Sequence, residues 1–322
     1  MKAIVQTEYG TPDVLELKEV EKPAPKDEEV LVKVCAASVN AADVEILRGD
    51  WAARFGGPFR PQHKIPGSDL AGRVETVGSN VKQFQPGDEV WGDLSFPYNH
   101  GTFAEYVCVS ENALTIKPAS MTFEEASTYP QSAIISLQSL RDKGQIQPGQ
   151  KVLINGAGGG MGTFAVQLAK YYGAEVTGVD SAIKFDMLRS IGADHVIDYT
   201  KQDYNKSEQR YDLILDVVAY RSVFDYRRVL KPGGIFIIVG GSLRTFLQVV
   251  ILGALISKMG SRKLGINAYD PNNKADLAFL AELFESGDVV PVIDRCYPLS
   301  EVPEALRYLE AGRVQGKLVI TM

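Results

Sequence analysis

A doubly wound parallel α/β domain inserted into a mainly β domain is the fold predicted by this sequence. Three observations predict it. Up to about Met121 the chain is cut into short β-branched or alternating segments by turns such as Pro86-Gly87-Asp88. From Thr122 onward, apolar runs of strand length alternate with helical periodicity, the pattern of a parallel sheet covered by helices on both faces. After the first of those runs stands a glycine turn, Gly156-Ala157-Gly158-Gly159-Gly160-Met161-Gly162.

In the first region, residues 30–34, 72–78 and 103–109 read as strands of a barrel-like, all-β region. Thr122 and Glu125 form a capping box, opening a helix that Pro130 interrupts and Gly144 closes. Strands follow at 151–155, 175–179, 195–199, 213–218 and 235–239. Residues 264–269 form a sixth, edge strand, 276–284 a helix and 316–320 a last strand.

The glycine turn draws its meaning from its neighbours. Ala165, Leu168, Ala169 and Tyr172 recur at helical spacing after it, and Gly173 supplies the stop. The next strand ends at Asp180, eighteen residues after Gly162. Strand, glycine turn, helix, strand and terminal acid make up a dinucleotide-binding fingerprint. The glycines let backbone N–H groups and a helix N-terminus approach a pyrophosphate.

Composition bounds what else the chain can do. Its 322 residues hold one large or two ordinary domains, with 45% hydrophobic and 23% charged residues, as in a soluble globular protein. A net charge of −6, with acids and bases interspersed, leaves no basic footprint for nucleic acid. Cys35, Cys108 and Cys296 suggest neither a disulfide framework nor a paired-cysteine metal site, and fit a reducing cytoplasm. The apolar start is too short for a secretory signal. Residues 246–256 are apolar nearly all round but too few to span a bilayer, so a buried helix is expected and membrane contact is not.

Beyond these residue-level readings, the chain resembles the medium-chain dehydrogenase/reductase superfamily nearly end to end. The likeness is carried by Val39-Asn40-Ala41-Ala42-Asp43, Pro66-Gly67-Ser68-Asp69-Leu70-Ala71-Gly72, Gln85-Pro86-Gly87-Asp88-Glu89-Val90 and Gly192-Ala193-Asp194-His195-Val196-Ile197-Asp198-Tyr199. It implies a Rossmann doubly wound sheet, residues 123–270, inserted in a GroES-like, mainly β catalytic domain made of 1–122 and 271–322. The nearest branch resembled is that of the quinone oxidoreductases, including those acting on enones. Zinc alcohol dehydrogenases place a Cys where this chain has Asn40 and a His-Glu pair where it has Ser68-Asp69, and the third ligand position falls near Gln131-Ser132. Too few of these side chains are zinc ligands, so a zinc-free reductase is expected.

Without a Lewis acid to hold an alkoxide, reduction of an activated acceptor is the suitable chemistry. A quinone or an α,β-unsaturated carbonyl accepts hydride with its charge spread onto oxygen, and positioning with a few donors suffices. Asn40 is the candidate donor to that oxygen, with a packing role in the site wall as the other reading. Arg48 and Trp51 occupy positions that the resemblance puts at the edge of the substrate cleft, where Trp51 can stack on a planar acceptor.

For the cofactor, Gly156, Gly159, Gly160, Met161 and Gly162 form the expected pyrophosphate site. Asp180 at the strand end favours NADH, because a carboxylate there accepts ribose hydroxyls and repels a 2′-phosphate. Ser181 and Lys184, with Tyr199 and Arg313 further on, resemble NADPH-preferring relatives, and hydroxyls and cations are what a phosphate needs. NADPH is the expectation, with NADH possible. A homodimer joined through the edge strand near 265–269 is also expected. The alternative is a low-turnover nucleotide-binding sensor using 246–256 as its contact surface.

Overall fold

The computed structural model describes residues 1–51, 53–95, 101–259, 262–267 and 269–322. The chain forms two compact units, Met1–Ser132 with Pro271–Ala281 and Ile293–Met322, and Ala133–Asp270 with Glu282–Val292.

The first unit is mainly β. Its strands are β1 (Lys2–Gln6), β2 (Leu15–Glu19), β3 (Glu29–Val39), β4 (Asp69–Val77), β5 (Glu89–Asp93), β6 (Tyr106–Ser110) and β7 (Thr115–Ile116). The second unit then contributes β8 (Lys151–Asn155), β9 (Glu175–Asp180), β10 (His195–Asp198), β11 (Tyr211–Asp216), β12 (Leu230–Ile238) and β13 (Lys263–Ile266). The chain returns to the first unit for β14 (Ile293–Pro298) and β15 (Lys317–Thr321). Helices, in chain order, are α1 (Ala41–Arg48), α2 (Ala53–Gly56), α3 (Phe123–Ser127), α4 (Ser132–Gln138), α5 (Gly160–Tyr171), α6 (Phe185–Ser190), α7 (Val223–Val229), α8 (Leu243–Met259), α9 (Lys274–Glu285) and α10 (Val302–Glu310).

In the first unit the large sheet runs β14-β15-β3-β4-β5-β7, with β6 also paired to β3. Strand β3 is central. It is antiparallel to β15, with Val39 opposite Leu318, and to β4, with Ser38 opposite Asp69. Its side chains Val30, Val32 and Val34 enter a core shared with Leu70, Phe103, Leu306 and Ile320. This register brings the end of β3, the start of β4 and the start of β15 together, and the polar cluster described below lies there.

The second unit holds a six-stranded sheet of order β10-β9-β8-β11-β12-β13, every pair parallel. The order reverses between β8 and β11, and ligands of open α/β sheets bind beyond the carboxyl ends of the strands at such a switch point. The glycine turn follows β8 directly. The edge strand is shorter than the sequence pattern suggests, ending at Ile266, and Ala268 lies outside the described residues.

The capping box at Thr122 is formed, with the Glu125 N–H donating to Thr122 Oγ1 at 3.1 Å and the Thr122 N–H to Glu125 Oε2 at 2.8 Å. The apolar helix departs from expectation. Helix α8 buries Thr245 and Val249 but leaves Leu243, Leu247, Val250 and Ile251 exposed. An all-round apolar helix packed on one sheet has only one face to bury. Among the described residues no helix is long and apolar enough to cross a membrane.

Candidate active site

The candidate nucleotide-binding residues of the glycine turn and the end of β9 belong to the second unit. Strand β8 ends at Asn155, and Gly156 turns the chain at φ +81°, a left-handed conformation that also brings its Cα against Val217. The N–H groups of Gly156 and Ala157 both donate to the Val179 carbonyl, at 3.0 and 3.2 Å. The turn is thus tied to β9 before helix α5 begins. Gly159 is the residue at the head of α5, so the N–H groups of Gly160, Met161 and Gly162 have no carbonyl one turn earlier to pair with. Those donors and the helix dipole suit a pyrophosphate.

The glycines differ in what they permit. A Cβ on Gly162 would stand 2.1 Å from the Gly156 carbonyl oxygen and 2.5 Å from that of Ala157, so this glycine serves the packing of helix on turn. A Cβ on Gly159 would meet nothing nearer than 3.5 Å, leaving open space over the helix start.

Asp180 and Lys184, two opposed signals in the sequence, are a single unit in the structure. Both are buried, and Lys184 Nζ lies 3.2 Å from Asp180 Oδ1. Asp180 Oδ1 also accepts the Ser181 N–H at 2.8 Å, and Oδ2 accepts the Gly158 N–H at 2.8 Å. The Lys184 stem covers Gly158 so closely that a Cβ there would be 2.5 Å from Cδ. The carboxylate is therefore neutralised and committed to the turn. Beside it Ser181 Oγ is buried and has no hydrogen-bond partner among the described residues, an orphan that a ribose or phosphate group would satisfy. Tyr199 is exposed on the same unit, its N–H donating to the Asp180 carbonyl at 3.4 Å. Arg313 is exposed in the first unit, beyond α10.

The other predicted residues belong to the first unit. Arg48 closes α1 and pairs with Glu310 at 2.7 Å. Trp51 follows it, 39% exposed. Asn40 is buried, and its amide is fully engaged. Asn40 Nδ2 donates to Asp69 Oδ2 at 2.9 Å and to Ser68 Oγ at 3.3 Å. Asn40 Oδ1 accepts from Lys317 Nζ at 2.6 Å and from Ser132 Oγ at 3.3 Å. Lys317, absent from the sequence reading, is buried, donates to Ser132 Oγ at 3.1 Å and lies 3.5 Å from Asp69 Oδ2. Its one sequence signal is a lysine at the head of the apolar run of β15.

Burial pushes the Asp69 carboxyl up to about 6, against the pull of the Lys317 ammonium, and burial likewise pushes Lys317 down. Asp69 is otherwise well served, accepting from Ser38 Oγ at 2.7 Å and from the Gln131 N–H at 3.0 Å. Neighbouring Asp43, which accepts the Asn40 N–H at 2.7 Å, is raised by burial from 3.8 to about 7. Between those values the folded protein holds a proton that the unfolded chain has released, so Asp43 lowers stability as pH climbs from about 4 to about 7. Asp43→Asn is expected to flatten this fall, gaining several degrees in Tm over the parent at pH 8 and less at pH 5. Parallel Tm curves for the two proteins over that range would refute it.

Comparison with known proteins fits both halves. Residues 26–119 match the alcohol dehydrogenase GroES-like domain family, and residues 191–320 match the zinc-binding dehydrogenase family. The 2-methylene-furan-3-one reductase of Solanum lycopersicum is 36% identical over 99% of this chain and 79% of its own. The chain belongs to the medium-chain dehydrogenase/reductase superfamily, in its quinone oxidoreductase-like branch. Its first unit is the GroES-like part and its second the Rossmann sheet of this superfamily. The NADPH-dependent alkenal/one oxidoreductase of Arabidopsis thaliana, a chloroplastic protein, is 34% identical over 99% of the chain and 79% of its own. The quinone oxidoreductase of Coxiella burnetii superposes with a TM-score of 0.90 at 29% identity, covering 100% of this chain and 99% of that one. The NAD(P)H oxidoreductase RTN4IP1 of Mus musculus, a mitochondrial protein, is 35% identical over 91% of the chain and 82% of its own.

One of the matched families is named for zinc, and the residues here do not fit that metal. Asn40, Ser68 and Ser132 offer an amide and two hydroxyls, bonded to one another or to the Lys317 ammonium. Zinc takes thiolate, imidazole or carboxylate ligands. Among the described residues no three His, Cys, Asp or Glu side chains group at a spacing that would hold a metal.

Proposed function

We propose that this protein is a zinc-independent reductase of quinones or α,β-unsaturated carbonyls that prefers NADPH. The observation that carries the reading is the Lys317 ammonium bonded to Asn40 and Ser132, side chains at the positions of metal ligands in zinc-containing relatives. The names of two relatives, a furan-3-one reductase and an alkenal/one oxidoreductase, point to conjugated carbonyls as acceptors. When bound, the reduced nicotinamide supplies the hydride. This chain's own residues bind and orient. The first-turn N–H groups of α5 hold the pyrophosphate, and Gly159 leaves room for it. Ser181 and the neutralised Asp180–Lys184 pair receive the adenosine ribose, where the carboxylate no longer repels a 2′-phosphate. Asn40, with both ends of its amide engaged, serves as a fixed wall, and Trp51 offers an aromatic surface for a planar acceptor.

The test is NADPH oxidation over a panel of quinones, 2-alkenals and vinyl ketones, in the presence of a chelator and with metal analysis of the purified protein. Turnover of at least one class, unchanged by chelator, and no stoichiometric zinc are expected. Tightly bound zinc would overturn the metal-free reading. Nucleotide binding without turnover of any acceptor would favour the sensor instead.

A further inference from the structure

We propose that Lys317 is a tethered cation around which the polar wall of the first unit is assembled, and a positioning residue for acceptor reduction. Four separate segments meet at its ammonium. Asn40 comes from the end of β3, Asp69 from the start of β4, Ser132 from the head of α4, and Lys317 itself opens β15. The Lys317 side chain is 1% exposed and that of Asp69 0%, so both charges are withdrawn from water and depend on each other and on their hydrogen bonds, with the buried carboxylates of Asp43 and Asp93 also acting on the ammonium.

The arrangement fixes Asn40 in one orientation. An ammonium can only donate and an ionised carboxylate can only accept, so the amide oxygen must face Lys317 and the amide nitrogen must face Asp69. The hydroxyls of Ser68 and Ser132 can serve either end and would not by themselves choose. Asp69 passes the constraint on, since its Oδ1 holds the Gln131 N–H and so the turn before α4. Removing the ammonium takes the obligate donor from the Asn40 amide oxygen, so that side of the amide is no longer held, and leaves Asp69 near the buried carboxylates of Asp93 and Asp43 without the Lys317 cation. A wall that shifts by an ångström changes how an acceptor is presented, and errors of that size cost up to about a hundredfold in rate. The nucleotide residues belong to the second unit, so their affinity should not follow.

The inference rests on the zinc-free reading, which metal analysis of the parent tests separately. In Lys317→Ala, exogenous n-propylammonium carries the three carbons and the nitrogen that the truncation removes. Lys317→Ala and Lys317→Met are expected to lower Tm and to lower kcat with the acceptor by about tenfold or more, with the dissociation constant for NADPH unchanged. n-Propylammonium, included during refolding, should restore both Tm and kcat of Lys317→Ala, and tetramethylammonium at equal ionic strength should not. Recovery of Tm without kcat would reduce Lys317 to a structural residue and overturn the positioning role. Parent-like Tm and kcat in Lys317→Met, or no difference between the two ammonium ions, would overturn the whole proposal. Should Lys317→Ala fail to fold under either condition, Lys317→Met/Asp69→Asn replaces it. That double variant should be more stable than Lys317→Met alone, and equal or lower stability refutes the charge pairing.

Discussion

Gly159→Val is expected to fold as the parent does and to lose at least about a hundredfold in affinity for both NADPH and NADH, equivalent to about 2.7 kcal/mol. The backbone at Gly159 is extended, with φ −88° and ψ 179°, so a branched residue meets no strain there. Its Cβ would also have room, the nearest atom being the Gly156 oxygen at 3.5 Å. The added methyls would stand over the N–H groups that begin α5 and exclude a pyrophosphate from them. Gly162→Val is the control, because its Cβ would collide with two backbone carbonyls and must push the helix off the turn. Circular dichroism and thermal melting should be parent-like for the first variant and impaired for the second, with nucleotide binding read by fluorescence titration. Parent-like NADPH affinity in Gly159→Val would place the pyrophosphate elsewhere.

Lys184→Ala should cut the ratio of kcat/KM for NADPH over that for NADH by roughly ten- to a hundredfold, as loss of one charge-assisted interaction of about 1.5–3 kcal/mol implies. Without the ammonium, Asp180 keeps its two backbone N–H donors but loses its counter-charge at the end of β9, repelling a 2′-phosphate while still able to accept from ribose hydroxyls. Asp180→Ser is not the mirror image. It removes the acceptor of the Gly158 N–H and strands a buried lysine, so affinity for both nucleotides and stability should fall together. A ratio unchanged by Lys184→Ala would mean that this pair does not face the adenosine ribose.

These two residues also mark the limit of what is legible in the sequence. Hydrophobic period and turn chemistry are local, and they sufficed for the β region, the parallel strands and the glycine turn. Asp180 and Lys184 are only four apart, yet the sequence presents them as rival indications of cofactor. Their contact depends on the short turn after β9 curling the lysine back over Gly158, which no periodicity encodes. Asn40 illustrates the same limit at long range. Its residue type suggests a donor, but its partners lie 28 and 29 residues away in Ser68 and Asp69, and 92 and 277 away in Ser132 and Lys317. Helix α8 is a milder case, because composition gives its apolarity and only packing decides which face stays open.

The pairing of β15 with β3 has a kinetic consequence. Leu318 lies opposite Val39, a closure across nearly the whole chain, whereas successive strands of the parallel sheet are joined by short crossovers. Loop-closure entropy must be met before such distant contacts repay it, so contact order makes the first unit the slower to assemble. Until β15 docks, Asp69 has no Lys317 ammonium beside it, so that docking also delivers the charge that makes the buried carboxylate tolerable. A refolding phase assigned to that docking should therefore slow when Lys317 is neutralised, while formation of the second unit keeps its rate.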